Sequence, residues 1–289
     1  MRTYLDCIPC LISQVLKAAR AVTDDEEVHR QVVNAIAAII PGLSLGLKPP
    51  EIVQRGYRLV SEITGNSDPY CRAKVEANYT ALALWSNLKR LVEQSTDRLF
   101  TACRLAILAN SLDFGANFNY GGIGTVIEEA MMCSLPLAVN NYDQLRNSLS
   151  NCRSLLYLGD NAGEIVFDRL FIEEIHRVRE LETCFVVREK PVINDVTMDD
   201  ALTVGMDRVA KVIANGSDAP ATILSECSAE LQQLFHSADI IITKGQGNYE
   251  SLEGEAGNIF FLLRAKCPPV AGLLGVNVGD CILKREARD

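Results

Sequence analysis

Residue types that define several common enzyme classes are scarce in this chain. Its 289 residues include one tryptophan and only three histidines, His29, His176 and His236, which lie in helix-like stretches among charged residues. Such a setting is typical of a solvent-exposed helix face. The shortage therefore argues against a serine–histidine–aspartate hydrolase and against a zinc enzyme with histidine ligands.

The chain also lacks long apolar runs and an excess of positive charge. No hydrophobic stretch reaches the roughly 18 residues that a membrane-spanning helix needs, and the N-terminal residues lack the charged-then-apolar layout of a signal peptide. We therefore expect a cytoplasmic protein without membrane contact. The net charge is −9 and the pI is near 5.0, which argues against nucleic acid as a partner, although a local pocket can still bind a small anion.

Ten cysteines are scattered through the chain, and two of them, Cys7 and Cys10, form a C-x-x-C motif. Most cysteines of an intracellular chain are expected to be reduced and buried. The motif precedes a predicted helix, whereas a thioredoxin-like site would follow a strand, and zinc would need two further ligands. We favour a structural role at the start of the helix, with a redox or metal function as the alternative.

The first hundred residues are predicted to form a small all-helical domain. Apolar residues recur there at helical spacing, and acidic or proline residues stand where helices would begin. The region shows no β pattern and no internal repeat. The predicted helices cover residues 11–22, 28–40 and 51–64, a segment that carries Lys74 and Asn78, and residues 97–110.

Strand-like and helix-like segments alternate in the second part of the chain. This alternation predicts a mostly parallel sheet with helices on both faces, which is an α/β fold with a three-layer α/β/α core. We expect a helical domain over residues 1–100 and a Rossmann-like catalytic domain over residues 101–289, with the boundary between 95 and 110. The predicted strands cover residues 155–158, 183–187, 211–214, 240–243, 259–263 and 276–283, and the main helices cover 165–182 and 221–237.

Polar side chains follow several of these strands, at the edge where open α/β sheets bind ligands. Asp160 and Asn161 follow the first strand, and Asp195 lies in the segment after the second. Because the ends of parallel strands share one edge, we expect these three side chains to converge. Carboxylate and amide oxygens suit Mg²⁺ or Mn²⁺, and a more strongly binding divalent ion could displace either.

A lysine and two glycines follow the fourth strand and suit an oxyanion. Lys244 comes directly after an apolar strand, and Gly245 and Gly247 expose backbone N–H groups that can cradle a phosphate. A metal, a lysine and such N–H groups together stabilise charge on a phosphoryl group during its transfer. Each feature also has an ordinary explanation, because aspartates cap helices and glycines form turns. Their joint occurrence at consecutive strand ends favours a site.

Five stretches in a fixed order form a set of motifs that spans nearly the whole chain. They are residues 68–70 with Lys74 and Asn78, residues 109–113, Gly-Asp-Asn-Ala-Gly-Glu at 159–164, residues 191–197, and Lys-Gly-Gln-Gly-Asn at 244–248. This set resembles the metal-dependent damage-control phosphatase family, formerly a domain of unknown function. The C-x-x-C motif resembles the prokaryotic branch of that family. One departure is Ala109, where a glycine is expected before Asn110.

This resemblance implies hydrolysis of phosphate monoesters of small metabolites, such as sugar phosphates or damaged phospho-metabolites. It implies a divalent cation (Mg²⁺, Mn²⁺, Co²⁺ or Ni²⁺) held by Asp160, Asn161 and Asp195. It also implies that Asp160, Asp195 and Lys244 are catalytic, with Lys244 in contact with the phosphate. The implied substrate-binding residues are Lys74, Asn78, Asn110, Asp113, Gly245, Gly247 and Asn248.

Several alternatives stay open at this point. The chain could bind a nucleotide or cofactor without hydrolysis, although it lacks a G-x-G-x-x-G motif. A eukaryotic branch of the family has been described as a protein carboxyl methyltransferase, but no glycine-rich fingerprint for that cofactor is present. Cys7 and Cys10 could instead hold zinc at an interface. The attacking nucleophile is either water or Asp160, which lacks the Asp-x-Asp pattern of common aspartyl-phosphate phosphatases.

Overall fold

The first part of the chain is helical, as predicted. The computed structural model describes residues 1–111 and 136–288, so Asp113 lies outside the described residues. None of the helices in these two ranges is long and apolar enough to cross a membrane. The first six helices are α1 (Cys7–Val22), α2 (Glu26–Ile39), α3 (Pro49–Thr64), α4 (Cys71–Ala83), α5 (Trp85–Gln94) and α6 (Arg98–Ala109).

Local signals in the sequence explain where these helices begin and end. The Asp97 carboxylate caps α6 by accepting a hydrogen bond from the Phe100 N–H at 3.0 Å. Prolines stand in the first turn of α3, where the missing N–H costs nothing. That helix ends at Gly65, whose φ of 69° is the left-handed conformation of a helix C-cap.

A seven-stranded sheet follows, and it is mostly parallel. The strand order is β1-β7-β6-β5-β2-β3-β4, and only the β6–β7 pair is antiparallel. The sequence missed β1, a four-residue edge strand that is only partly buried. The strands are β1 (Leu137–Asn140), β2 (Ser154–Leu158), β3 (Glu182–Val187), β4 (Lys211–Ala214), β5 (Ile240–Lys244), β6 (Gly257–Arg264) and β7 (Cys281–Arg288).

Helices cover both faces of the sheet, which confirms the predicted α/β/α layers. Alternate residues of β2 enter different hydrophobic clusters, with Leu155 and Tyr157 on one face and Leu156 and Leu158 on the other. The remaining α-helices of the described residues are α7 (Tyr142–Asn151), α8 (Glu164–Val178), α9 (Met198–Thr203), α10 (Ala229–Ser237), α11 (Gly245–Leu252) and α12 (Pro268–Leu274). The first cluster includes residues of α6 and α8, and the second includes residues of α10, α11 and α12.

Three predicted elements have different bounds in the structure. The helix predicted over 165–182 ends at Val178, because β3 takes up the chain from Glu182. The helix predicted over 221–237 becomes a short 3-10 turn followed by α10, which begins after the capping residue Ser228. The last strand begins at Cys281 rather than at residue 276, because Gly279, with φ of 98°, turns the chain first.

The six N-terminal helices belong to two packing layers. Helices α1, α2 and α3 share a hydrophobic cluster that includes Leu11, Val32 and Val60. Helices α4, α5 and α6 instead contribute to the cluster under the sheet, through residues such as Leu88 and Leu105. The hydrophobic clusters therefore separate the chain between α3 and α4, which is earlier than residue 100. The proposed domain boundary between 95 and 110 stays a prediction.

Two helical glycines allow a matched test of the packing between α1 and α3. A Cβ on Gly56 would lie 2.8 Å from Val15 and 2.9 Å from Leu11, whereas a Cβ on Gly272 would meet nothing within 4 Å. Gly272→Ala should therefore raise the free energy of unfolding by about 0.5–1 kcal/mol. Gly56→Ala should lower it by about 1–3 kcal/mol through overpacking. Urea unfolding measures both, and equal shifts for the two variants would contradict the close packing.

Candidate active site

The carboxyl ends of β2, β3 and β5 bring the predicted metal ligands together. The segment after β3 returns to the end of β2, where the Val196 N–H donates to the Asp160 carbonyl at 2.8 Å. An isolated antiparallel bridge also pairs Asn161 with Asp195. These backbone contacts place Asp195 beside Asp160 and Asn161, as the parallel topology predicts.

Two side-chain amides fix the Asp160 carboxylate. Asp160 Oδ2 accepts hydrogen bonds from Asn110 Nδ2 at 2.9 Å and from Asn161 Nδ2 at 2.7 Å. The same two nitrogens each donate to Glu164 Oε2 at 3.0 Å. The two amides are thus clamped between two carboxylates.

The second aspartate is held by a buried arginine and a strained backbone. Asp195 Oδ2 accepts from Arg188 Nε at 2.7 Å and from the Ala221 N–H at 3.3 Å. Ala221 and Ile193 have φ values of 65° and 48°, which cost about 1–3 kcal/mol each in residues with a side chain. Among the described residues they are the two non-glycine residues with positive φ, and both line the cavity described below.

The glycines after β5 are required by close approach. A Cβ on Gly245 would lie 1.9 Å from Asp160 Oδ2, and its φ of 81° also favours glycine. A Cβ on Gly247 would come within 3.2 Å of the Ala221 side chain. The neighbouring Asn248 binds the backbone, because its Nδ2 donates to the Lys244 carbonyl at 2.8 Å and to the Gly159 carbonyl at 3.3 Å.

A fully buried ion cluster lies beneath these residues. The Lys244 ammonium donates to Glu164 Oε1 at 2.5 Å and to Asp168 Oδ1 at 2.6 Å. Tyr157 donates its hydroxyl hydrogen to the same Asp168 oxygen at 2.8 Å. Lys244 therefore does not line the cavity, and a direct phosphate contact would require its ammonium to leave both carboxylates. In this position Lys244 is the counter-ion of Glu164 and Asp168, and its predicted contact with the phosphate stays a prediction.

Buried carboxylates outnumber buried cations around this edge of the sheet. Burial first, and then Glu164 and Asp195, raise the pKa of Asp160 well above its usual value. Burial raises the pKa of Asp168 to about 7 against the opposing effect of Lys244. Burial alone would lower the pKa of Lys244, but its two carboxylate partners outweigh burial and raise it. Such an excess of negative charge favours the binding of a cation.

A cavity of about 400 Å³ lies between this edge and the helices α1 and α3. Asp160, Asn161 and Asp195 stand in its wall, and Lys266 and Gln246 flank them. The positive charge of Lys266, which lies in the same wall, lowers the pKa of Asp160. The remaining wall is mostly apolar and comes from residues such as Leu11, Pro49, Pro50, Ile52 and Val53.

Several predicted substrate residues lie behind the cavity wall rather than on it. Lys74 forms ion pairs with Asp68 at 3.3 Å and Asp200 at 3.4 Å. Asn78 donates to Asp200 at 2.8 Å and accepts from the Gly163 N–H at 2.7 Å. In this position they tie the start of α8 to α4 and α9. Asn110 and Asn248 are likewise buried and hydrogen bonded, so a direct substrate contact stays a prediction for all four.

Sequence reasoning missed several residues of the site, although signals for them exist. Arg188 and Lys266 follow the apolar strands β3 and β6, in the same way that Lys244 follows β5. Glu164 closes the Gly-Asp-Asn-Ala-Gly-Glu motif, and Asp168 lies four residues later on the same helix. Carboxylates with this spacing inside an otherwise apolar helix face indicate a shared buried cation.

Three cysteines also reach the cavity. Cys7, Cys10 and Cys267 line it as free thiols, and Cys7 is the first residue of α1. Within residues 1–111 and 136–288, no three His, Cys, Asp or Glu side chains are arranged to hold a metal. Zinc on Cys7 and Cys10 would therefore need ligands from elsewhere, whereas Asp160 and Asp195 have Asn161 as a third oxygen donor.

The buried position of Lys244 has a measurable energetic consequence. Lys244→Met should lower the free energy of unfolding by about 3–5 kcal/mol, because Glu164 and Asp168 would lose their cation in a buried setting. The double variant Lys244→Met/Asp168→Asn should recover part of this loss. Lys211→Met is the control, because Lys211 pairs with Glu230 on the surface and should change stability little. Urea unfolding that leaves Lys244→Met as stable as the control would contradict this assignment.

The chain is similar along nearly its whole length to known proteins. The family model of the damage-control phosphatase ARMT1-like domain matches residues 3–282. A damage-control phosphatase of Archaeoglobus fulgidus is 36% identical over 288 residues, which cover 96% of this chain and 97% of that protein. A damage-control phosphatase of Pyrococcus horikoshii is 30% identical over 289 residues, which cover 99% and 98%. A protein of Methanocaldococcus jannaschii is 37% identical over 287 residues, covering 96% and 93%.

The fold is also shared with a solved structure. The crystal structure of a DUF89 family protein from Pyrococcus horikoshii has a TM-score of 0.89 at 28% identity, with 99% of each chain covered. The match therefore includes both the helical layer and the sheet. These findings confirm the resemblance seen in the motifs: the chain belongs to the damage-control phosphatase ARMT1-like domain family, formerly the DUF89 family.

Proposed function

We propose that this chain is a phosphatase that uses a divalent metal to hydrolyse phosphate monoesters of small metabolites. Family membership supports the phosphatase activity. The observation that carries the proposal is the convergence of Asp160, Asn161 and Asp195 on the wall of one cavity. A divalent cation stabilises the charge of a phosphoryl group during its transfer, and this wall supplies oxygen ligands for such a cation within a confined site.

The donor set suits a hard divalent cation. Asp160, Asn161 and Asp195 would hold it, because carboxylate and amide oxygens are the ligands that Mg²⁺ and Mn²⁺ accept. N–H donors already hold one carboxylate oxygen of each aspartate. Hydrogen bonds of this kind, from residues around a metal site, orient the side chains that bind the metal. When bound, such a cation supplies Lewis-acid polarisation of a phosphoryl oxygen.

The protein's own cations and backbone would position the phosphate. Lys266 is the one ammonium in the described wall of the cavity, and its charge acts on Asp160. The first turn of α11 begins at Gly245, beside Asp160, and its N–H groups favour an anion. The apolar part of the cavity would exclude water from the remainder of the ester.

The proposal predicts metal-dependent phosphate release that depends on Asp160 and Asp195. Metal-stripped protein should release phosphate from 4-nitrophenyl phosphate and from sugar phosphates only after addition of Mg²⁺, Mn²⁺, Co²⁺ or Ni²⁺. Asp160→Ala and Asp195→Ala should each lower kcat/KM by about 100-fold or more, since outer-shell changes alone cost about 10–100-fold. Asp207→Ala, on an exposed turn after α9, is the matched control and should keep full activity.

The same experiment can also contradict the proposal. Absence of release with all four metals would sink the phosphatase proposal. Nucleotide binding by the metal-stripped protein in equilibrium dialysis would then point to a binding module instead.

A second prediction tests whether Lys266, rather than the buried Lys244, contacts the phosphate. Lys266→Met should raise KM for a sugar phosphate by about tenfold or more, because the ammonium belongs to the cavity wall that would face the phosphate. Direct Mn²⁺ binding should stay intact, because Lys266 is not one of the proposed metal ligands. Lys190→Met, which removes an exposed lysine elsewhere, should leave KM unchanged. An unchanged KM in Lys266→Met would show that this side chain does not contact the phosphate.

A further inference from the structure

The charges of the cavity wall are unevenly distributed. Its charged side chains are Asp6, Asp160, Asp195, Glu250 and a single base, Lys266. Asp160 and Asp195 belong to the proposed metal site, but Asp6 and Glu250 have no role there. The negative charge is therefore not confined to the end of the cavity that would hold the metal.

Glu250 and Asp6 line the cavity outside the proposed set of metal ligands. Glu250 is five residues beyond Gly245 on α11, which places it about 7 Å farther along the helix axis than the glycine beside Asp160. Gln246 Nε2 donates to Glu250 Oε1 at 2.8 Å and to Cys267 Sγ at 3.3 Å, and Asp6 adjoins Cys7 in the wall. We call the part of the wall formed by Asp6, Cys7, Glu250 and Cys267 the distal end.

The known contacts of Glu250 leave it charged. Gln246 Nε2 donates to Glu250 Oε1 at 2.8 Å, and Lys266 is the lysine whose charge acts on both Glu250 and Asp160. Burial raises the pKa of Glu250 to about 7 despite Gln246, the N-terminal amine and Lys266. At about pH 8 most of the Glu250 carboxyl groups are therefore ionised.

Cations at the proposed metal site are already matched by anions. Asp160, Asp195 and a phosphate dianion carry four negative charges, and a divalent cation, Lys266 and the Arg188 guanidinium on Asp195 supply four positive charges. Within the described wall no further base offsets Asp6 and Glu250, and outside it the N-terminal amine acts on Glu250 alone of the two. A second anionic group at the distal end would therefore meet net negative charge.

The wall beside Cys267 offers few groups that could solvate an anion. Pro268 and Pro269 follow Cys267 there, and a proline has no backbone N–H to donate. An anion there would lose water and gain few hydrogen bonds, and this cost is large for a charged group. A neutral or hydroxylated group loses less.

We propose that Glu250 and Asp6 make this cavity selective for monophosphates whose remaining part is neutral or cationic, and that they exclude substrates with a second phosphate. This selectivity rests on the phosphatase function proposed above and defines the substrate class of the same site. The metal end of the cavity binds the ester, and the distal carboxylates reject a further anion while accepting hydroxyl or ammonium hydrogens.

Three hexose phosphates that differ at one position test this selectivity. Glucose 6-phosphate, glucosamine 6-phosphate and glucose 1,6-bisphosphate present a neutral, a cationic and an anionic distal group. Phosphate release by the metal-loaded enzyme at about pH 8 should show kcat/KM for the bisphosphate at least about tenfold below that for glucose 6-phosphate. The amino sugar should be used at least as well as glucose 6-phosphate.

Variants then assign the effect to the two carboxylates. Glu250→Gln and Asp6→Asn should each lower the ratio of kcat/KM for the monophosphate to kcat/KM for the bisphosphate by about threefold to tenfold. Glu230→Gln, a surface change at the exposed ion pair with Lys211, should leave the ratio unchanged. Equal use of the monophosphate and the bisphosphate by the unaltered enzyme would overturn the inference, and so would an unchanged ratio in both variants. No release from glucose 6-phosphate or any other monophosphate would overturn the phosphatase function itself, which is a different result.

Discussion

The geometry of the candidate site depends on one buried ammonium ion. Lys244 lies fully buried between Glu164 and Asp168 and is the counter-ion of both. Because Glu164 is held in this way, its other oxygen can fix the amides of Asn110 and Asn161. These amides in turn fix Asp160. The cavity wall at Asp160 is therefore positioned by charge-assisted contacts with a buried ion cluster behind it.

The sheet and its ligand edge could be predicted from the sequence because both depend on local patterns. Apolar strands buried on both faces are easy to recognise, and polar residues at their ends must share one edge when the strands are parallel. The direction of a single long side chain is not a local property. A lysine at the end of an apolar strand can direct its ammonium either toward a ligand or into the protein interior. For Lys244, only the position of Asp168 on a neighbouring helix shows which direction the ammonium takes in this structure.

Packing partners were the other feature that the sequence did not specify. Helical periodicity shows that one face of a helix is buried, but not which layer covers it. Helices α1 and α5 both have a strongly apolar face, yet α1 joins α3 in the roof of the cavity and α5 packs beneath the sheet. The roof brings Leu11 and Pro49 opposite the metal ligands, and this contact joins residues that are more than a hundred positions apart.

The sheet order also constrains when the protein can fold during its synthesis. Strand β1 pairs with β7 in the described part of the chain, although the other five strands lie between their paired residues Leu137 and Cys281 in sequence. The ribosome must therefore release all of these strands and β7 itself before β1 obtains this hydrogen-bonding partner. Until then β1 and the edge of β6 that β7 will cover expose unpaired backbone, and such edges associate with other chains. A nascent chain of this protein is thus at greatest risk of aggregation in the interval before β7 is released.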